Sequence, residues 1–80
     1  MHFMTNDRIV IKQDILSGKP IIKGTRISVE FILELLSSGM SIEEILKEYQ
    51  HLTKKDILAA LEYATQRLKH EEVYSTEVVV

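Results

Sequence analysis

The eighty-residue chain has no cysteine, no tryptophan, a single proline and three glycines. Without thiols it has no disulfide scaffold, thiolate metal site or cysteine nucleophile, and nothing in it calls for an oxidising compartment. No apolar run approaches the roughly 20 residues that span a bilayer. The opening residues, Met1-His2-Phe3-Met4-Thr5-Asn6-Asp7, have neither the cationic start nor the long apolar stretch of a secretory signal, so a cytoplasmic, non-membrane chain is expected. Three tyrosines and two phenylalanines are few for the stacking platforms of RNA recognition, which makes an RNA-associated domain the weakest nucleic-acid reading. A chain of this length makes one domain near the lower limit of what folds on a single core, and a homodimer sharing core residues is the expected assembly.

Net charge is only −2, but its distribution is uneven. Residues 1–28 carry five cations against two acids, residues 29–50 one against five, and residues 51–70 four against two; Glu71, Glu72 and Glu77 follow. A chain with this alternation can present one basic face while remaining acidic as a whole. The densest feature is Gly18-Lys19-Pro20-Ile21-Ile22-Lys23-Gly24-Thr25-Arg26-Ile27, which holds two of the three glycines, the proline and three cations.

The first third reads as strands and turns. Ile9-Val10-Ile11, Ile21-Ile22 and Arg26-Ile27-Ser28 are short β-branched runs separated by Ser17-Gly18 and Gly24. Pro20 cannot donate to a ladder, so its strand begins there or lies at an edge. The period then changes to 3.6. Ser28 is the N-cap of a first helix with Val29, Ile32, Leu33 and Leu36 on one face, and Phe31 and Leu35 widen that face towards a second surface. Gly39 closes this helix, and Ser41-Ile42-Glu43-Glu44 forms a capping box that opens a second. Thr53 caps a third, with Asp56 in its first turn and Ile57, Leu58, Leu61, Ala64 and Leu68 as its apolar positions, running to about residue 69. The expected class is mainly α with a small N-terminal β-hairpin and a three-helix helix-turn-helix core of homeodomain-like or winged-helix-like kind. The organisation is an extension over 1–8, a single domain over 9–70 and a tail over 71–80.

Chemistry is sparse. His2, His51 and His70 are scattered, with no histidine or cysteine at ligand spacing, so no metal is expected. Glu30/Glu34 and Glu44/Glu48 are i, i+4 pairs of the sort found on ordinary helix surfaces, and Tyr49 and Tyr63 sit at core or rim spacing. Gly18-Lys19-Pro20 lacks the spacing of a phosphate loop. No nucleophile–base pair is legible; no enzyme and no cofactor are expected. In a helix-turn-helix, Thr53, Lys54 and Lys55 open the recognition helix and face double-stranded DNA, with Lys19, Lys23 and Arg26 of the hairpin on flanking phosphates. In a dimer two such helices would enter successive major grooves about 34 Å apart. A three-helix bundle also buries amphipathic helices without binding anything, and strand-edge cations also discourage aggregation. The β-prone tail, with Val73, Tyr74, Val78 and Val79, suits pairing with a partner chain.

Three blocks stand in order over residues 9–65. They are Gly18-Lys19-Pro20-Ile21-Ile22-Lys23-Gly24-Thr25-Arg26-Ile27, then Gly39-Met40-Ser41-Ile42-Glu43-Glu44-Ile45, and Leu52-Thr53 with Asp56-Ile57, Ala60-Leu61 and Tyr63-Ala64. The set resembles the small prokaryotic proteins of domain-of-unknown-function family 433. Two departures are visible: Gln50-His51 stand where a proline is expected before Leu52, and Leu16-Ser17 where the family often has cysteine or glycine near the turn. The resemblance implies the helix-turn-helix fold with an N-terminal hairpin. It also implies an antitoxin of a type II toxin–antitoxin pair, which neutralises a PIN-like ribonuclease toxin through its tail and represses its own operon. The competing expectation is a protein-interaction module without DNA affinity, whose basic hairpin docks an acidic partner.

Overall fold

The computed structural model describes residues 6–71. Strand β1 (Ile9–Ile11) pairs antiparallel with β2 (Pro20–Ile22), with Ile9 opposite Ile22, Val10 opposite Ile21 and Ile11 opposite Pro20. Helices α1 (Val29–Ser37), α2 (Ile42–Glu48) and α3 (Lys54–Glu71) follow. The architecture is the expected one, three helices behind a two-stranded hairpin. The third β-branched run adds only one bridge, Ser28 to Ile21, because Ser28 must turn out of the sheet to cap α1. No helix among the described residues is long and apolar enough to cross a membrane.

Each helix starts where a side chain takes up an orphan backbone donor. The Ser28 hydroxyl accepts from Phe31 N–H at 2.9 Å. Ser41 and Glu44 complete the capping box, the Ser41 N–H donating to Glu44 Oε1 at 2.8 Å and the Glu44 N–H to Ser41 Oγ at 3.1 Å. Thr53 and Asp56 repeat the device with a shorter acid: Thr53 N–H donates to Asp56 Oδ2 at 2.9 Å and Asp56 N–H to Thr53 Oγ1 at 3.2 Å. The end of α1 is a full Schellman motif. Gly39, at φ +104, donates to the Leu36 carbonyl and Met40 to that of Leu35.

Two turns shape the hairpin end. Gly24, at φ +81, lets Thr25 N–H reach the Ile22 carbonyl, and Ile22 N–H then meets the Ile27 carbonyl at 2.9 Å, delivering the chain to Ser28. Between the strands, Leu16, Ser17 and Gly18 have φ of +48, +56 and +83, a single left-handed turn in which two of three residues carry a Cβ. That conformation costs about 1–2 kcal/mol per non-glycine residue. Leu16-Ser17, the pair read from the sequence as a departure, therefore sits where glycine would be unstrained.

The core gathers Ile22, Val29, Ile32, Ile45, Leu52, Ile57 and Ala60, one or more from each element but β1. Ile21 is as buried as Ile22, so both faces of β2 are covered. Phe31 and Tyr49 meet edge-on with ring centroids 5.8 Å apart, joining α1 to the end of α2. One expected feature needs correction. Ile57, Leu58, Leu61, Ala64 and Leu68 do not form one core face: Ile57 and Ala60 are buried and Ala64 half-buried, whereas Leu58, Leu61 and Leu68 are exposed. Successive helix residues are turned by about 100°, so a one-residue offset moves a side chain from the inner stripe towards solvent.

Candidate functional site

The described residues contain two ion pairs, and they divide the expected DNA-binding cations. Lys19 Nζ lies 2.8 Å from Glu30 Oε1, both side chains well exposed. The hydrogen bond to Glu30, then the charges of Glu30 and Glu34, raise the Lys19 ammonium above its ordinary 10.5. Lys19 and Arg26 face Glu30 and Glu34 across an open groove of about 640 Å³, floored by Leu16, Ile27 and Phe31. Two cations opposite two acids make this groove a mixed surface rather than a basic patch.

The other cations lie at the start of α3. Lys54 and Lys55 are exposed in its first turn, and Thr53, also exposed, spends its hydroxyl on the cap. Arg8, which the sequence reading left without a role, donates from Nη1 to Asp56 Oδ1 at 2.9 Å. Lys23 is joined to this group through its backbone N–H, which donates to the Arg8 carbonyl at 2.8 Å. Asn6 Nδ2 donates to the Ala59 carbonyl at 2.8 Å, so the residues before β1 are fastened to α3 at two points. Lys54 and Lys55 thus stand at the start of α3 beside the Arg8–Asp56 pair, with Lys23 tied to Arg8 through the backbone, while Lys19 and Arg26 belong to the groove beside α1.

Further along α3 the exposed side changes character. Leu58 is 48% exposed, Leu61 37% and Leu68 68%, with Glu62 beside them. From Thr65 to Lys69 every residue is exposed, so this part of the helix runs clear of the core. Arg67 lies over the Tyr63 ring at 5.9 Å, a contact along the helix itself. The expected partner-binding residues Val73, Tyr74, Val78 and Val79 lie outside the described residues. Among the described residues no group of three or more histidine or acidic side chains is placed to hold a metal. His51 is exposed in the turn between α2 and α3.

The signal for the leucines was present in the sequence. Leu58, Leu61, Thr65 and Leu68 are spaced three, four and three residues apart, as on a coiled-coil seam, beside an inner stripe of Ile57, Ala60 and Ala64. Arg8 carried no such signal, because it meets Asp56 across 48 positions of sequence.

The model of the family described as "Protein of unknown function (DUF433)" matches residues 9–64. The chain belongs to this family. DUF433 therefore takes in the hairpin, α1, α2 and α3 as far as Ala64. The chain is also similar to a solved structure, the crystal structure of a DUF433 member protein from Anabaena variabilis ATCC 29413, with 30% sequence identity and a TM-score of 0.73. The match covers 79% of this chain and 62% of that one, so the chain spans about three-fifths of its length. No curated protein matches.

Proposed function

We propose that this DUF433 domain works by binding protein rather than by catalysis, as the antitoxin of a toxin–antitoxin pair with a PIN-like ribonuclease. One observation carries the reading. The second half of α3 leaves the core with Leu68 in solvent, and in sequence it leads into Val73, Tyr74, Val78 and Val79. A helix free of tertiary contacts gains little from propensity alone, so an exposed helical stretch followed in sequence by apolar residues is suited to fold against another surface. The residues after 72 carry Glu77 and no cation, which favours steric cover of the toxin's acidic centre over a cation inserted into it. The test is co-expression with the small aspartate-rich protein of an adjacent reading frame. Co-purification and relief of toxicity are expected, and Leu68→Glu with Val78→Glu should weaken the complex at least about tenfold. A complex indifferent to both substitutions sinks the reading.

A second reading, operator binding, is favoured by the exposed Lys54 and Lys55 in the first turn of α3. In the two turns after Lys55 the exposed side offers Leu58, Leu61 and Glu62, and the glutamine and arginine of the kind that read base edges, Gln66 and Arg67, stand only further along the helix. Such a surface would hold phosphates and discriminate sequence weakly. Affinity for the chain's own promoter should fall steeply with salt and vanish on Lys54→Glu with Lys55→Glu. Absence of binding at about 50 mM salt defeats this second reading.

A further inference from the structure

One side of the hairpin is open. Lys23 N–H donates to the Arg8 carbonyl at 2.8 Å, and antiparallel pairs alternate between bonded and unbonded, so Val10 and Ile21 make the next bonded pair. Ile9 and Ile11 stand at the unbonded positions and aim their backbone groups away from β2. Ile22, opposite Ile9, does the same on its own side and meets the Ile27 carbonyl at 2.9 Å. Of the four groups that Ile9 and Ile11 present on the outer edge of β1, one is used: Ile9 N–H donates to the Asn6 carbonyl at 3.3 Å. The Ile9 carbonyl and both groups of Ile11 have no partner among the described residues, and Ile11 is 55% exposed. Nothing inside Ile9-Val10-Ile11 blunts this edge, which holds neither proline nor charge.

That single bond shows what comes alongside. Asn6 to Ile9 is a β-turn, held also by Asn6 Oδ1, which accepts from Arg8 N–H at 3.2 Å. It sets Asn6 on the outer flank of β1, with the chain before it arriving from the reverse direction. Asn6 and Ile9 also share a face: Asn6 Nδ2 donates to the Ala59 carbonyl of α3 at 2.8 Å, and Ile9 packs on the core. Sharing a face is what directly opposed residues of paired strands do.

We propose that the residues before Asn6 add to β1 as a third antiparallel strand, with Thr5 opposite Val10, Met4 opposite Ile11 and Phe3 opposite Lys12. By the same alternation Met4 and Ile11 are the bonded pair, and each donates its N–H to the other's carbonyl, which uses both free groups of Ile11. Met4 falls on the face of Ile9 and covers the exposed Ile11, while Phe3 and Thr5, both of high strand preference, join Val10 on the other. Five residues at about 3.3 Å each are ample to span the three of β1. A second copy suits the edge less. The two-fold pairing that matches all three residues of β1 sets Arg8 against the partner's Lys12 twice, like charges directly opposed. Asp7 and Arg8 both keep negative φ, which splays a hairpin more than the primed turns do, so the added strand is held chiefly by its Met4 pair. While it is in place, the edge is closed to strand addition by another chain. The inference rests on neither the toxin nor the operator reading.

Nuclear magnetic resonance of the full chain tests the pairing without any substitution. Unbonded pairs bring their α-carbons to about 4.5 Å, so Overhauser contacts between α-protons are expected for Thr5 with Val10 and for Phe3 with Lys12. The Ile11 amide should exchange at least about tenfold more slowly than in an unstructured peptide of the same sequence. Met4→Pro puts a ring in place of the N–H aimed at Ile11. It should return the Ile11 amide to within about twofold of the peptide rate while the core amides stay protected. A wild-type Ile11 amide as fast as the peptide's, or protection that survives Met4→Pro, overturns the proposal. So does a strand contact of Val10 with a residue after Glu71, or one seen only between differently labelled copies in a mixed sample.

Discussion

Removing the Asp56 carboxylate should cost this small domain a large share of its stability. The side chain is 10% exposed and serves three partners: its own helix end, the Thr53 N–H at 2.9 Å and the Arg8 guanidinium at 2.9 Å. Loss of a capping group costs about 1 kcal/mol. An acid in the first turn contributes about 0.3–1 kcal/mol through the helix dipole. A hydrogen bond to a charged group contributes about 1.5–3 kcal/mol when buried. Arg8 is 45% exposed and is resolvated on losing its partner, so the lower part of that range, or less, applies. Asp56→Ala is therefore expected to destabilise by about 2–3 kcal/mol, against a total of about 4–12 kcal/mol for eighty residues. At about 4–8 °C per kcal/mol the melting temperature should fall by about 10–20 °C. Asp56→Asn keeps an acceptor for Thr53 and gives up the charge, and should recover about half of the loss. Thermal and urea denaturation of the two variants, with Arg8→Ala and Arg8→Ala/Asp56→Ala completing a cycle, measure the terms separately. A loss under about 0.5 kcal/mol for Asp56→Ala, within the range of an ordinary surface change, would refute the reasoning. So would additivity in the Arg8 cycle, for the ion pair specifically.

Three further outcomes follow from the same physical arguments. Ile45→Ala removes a fully buried side chain of the central cluster and should cost about 2–5 kcal/mol by urea denaturation, enough to leave part of the population unfolded at room temperature. Gly39→Ala meets no atom within 4 Å, so its penalty is that of a side chain at φ +104 alone, about 1–2 kcal/mol by thermal melt; a neutral result would mean the Schellman turn relaxes freely. Lys19 is held above pH 10.5 by Glu30, so the native state binds its proton more tightly than the unfolded chain does. The stabilisation is therefore complete below pH 10.5 and is lost as pH rises through the native value. The melting-temperature difference between wild type and Lys19→Met should be flat through neutrality and vanish in strong alkali, and a difference that grows there contradicts the pairing.

Helix starts were legible because each rests on a cap within four residues: Ser28 with Phe31, Ser41 with Glu44, and Thr53 with Asp56. Local chemistry of that range is written into adjacent letters. The Leu16–Gly18 turn was not legible, since left-handed leucine and serine are adopted only when the packed strands on either side dictate it. Arg8 was missed for the same reason at longer range. The leucines of α3 were misplaced because Ile57-Ala60-Ala64 and Leu58-Leu61-Leu68 both satisfy a helical period. Which stripe meets the domain's own core depends on where α1 and β1 stand, and that is a property of the assembled fold. The positions of the basic residues are plain in the sequence, but which of them stand together depends on where the hairpin lies against α1 and α3.

The two bonds that fasten the residues before β1 to α3, Arg8 to Asp56 and Asn6 to Ala59, join positions 48 and 53 apart in sequence. Contacts of such separation are the slowest for a chain to close, whereas the helices and the short hairpin form from near neighbours. The N-terminal segment is thus a latch that shuts last and opens first. When it opens, the Asp56 carboxylate loses its counter-charge and the first turn of α3 loosens with it, while the Ile32–Ile45–Ile57 core stays intact. Amide exchange should then group Thr53 to Asp56 with the hairpin's outer strand rather than with the rest of their own helix. The family match begins at residue 9, one position past the latch, so the matched segment leaves out both of the residues whose side chains fasten it.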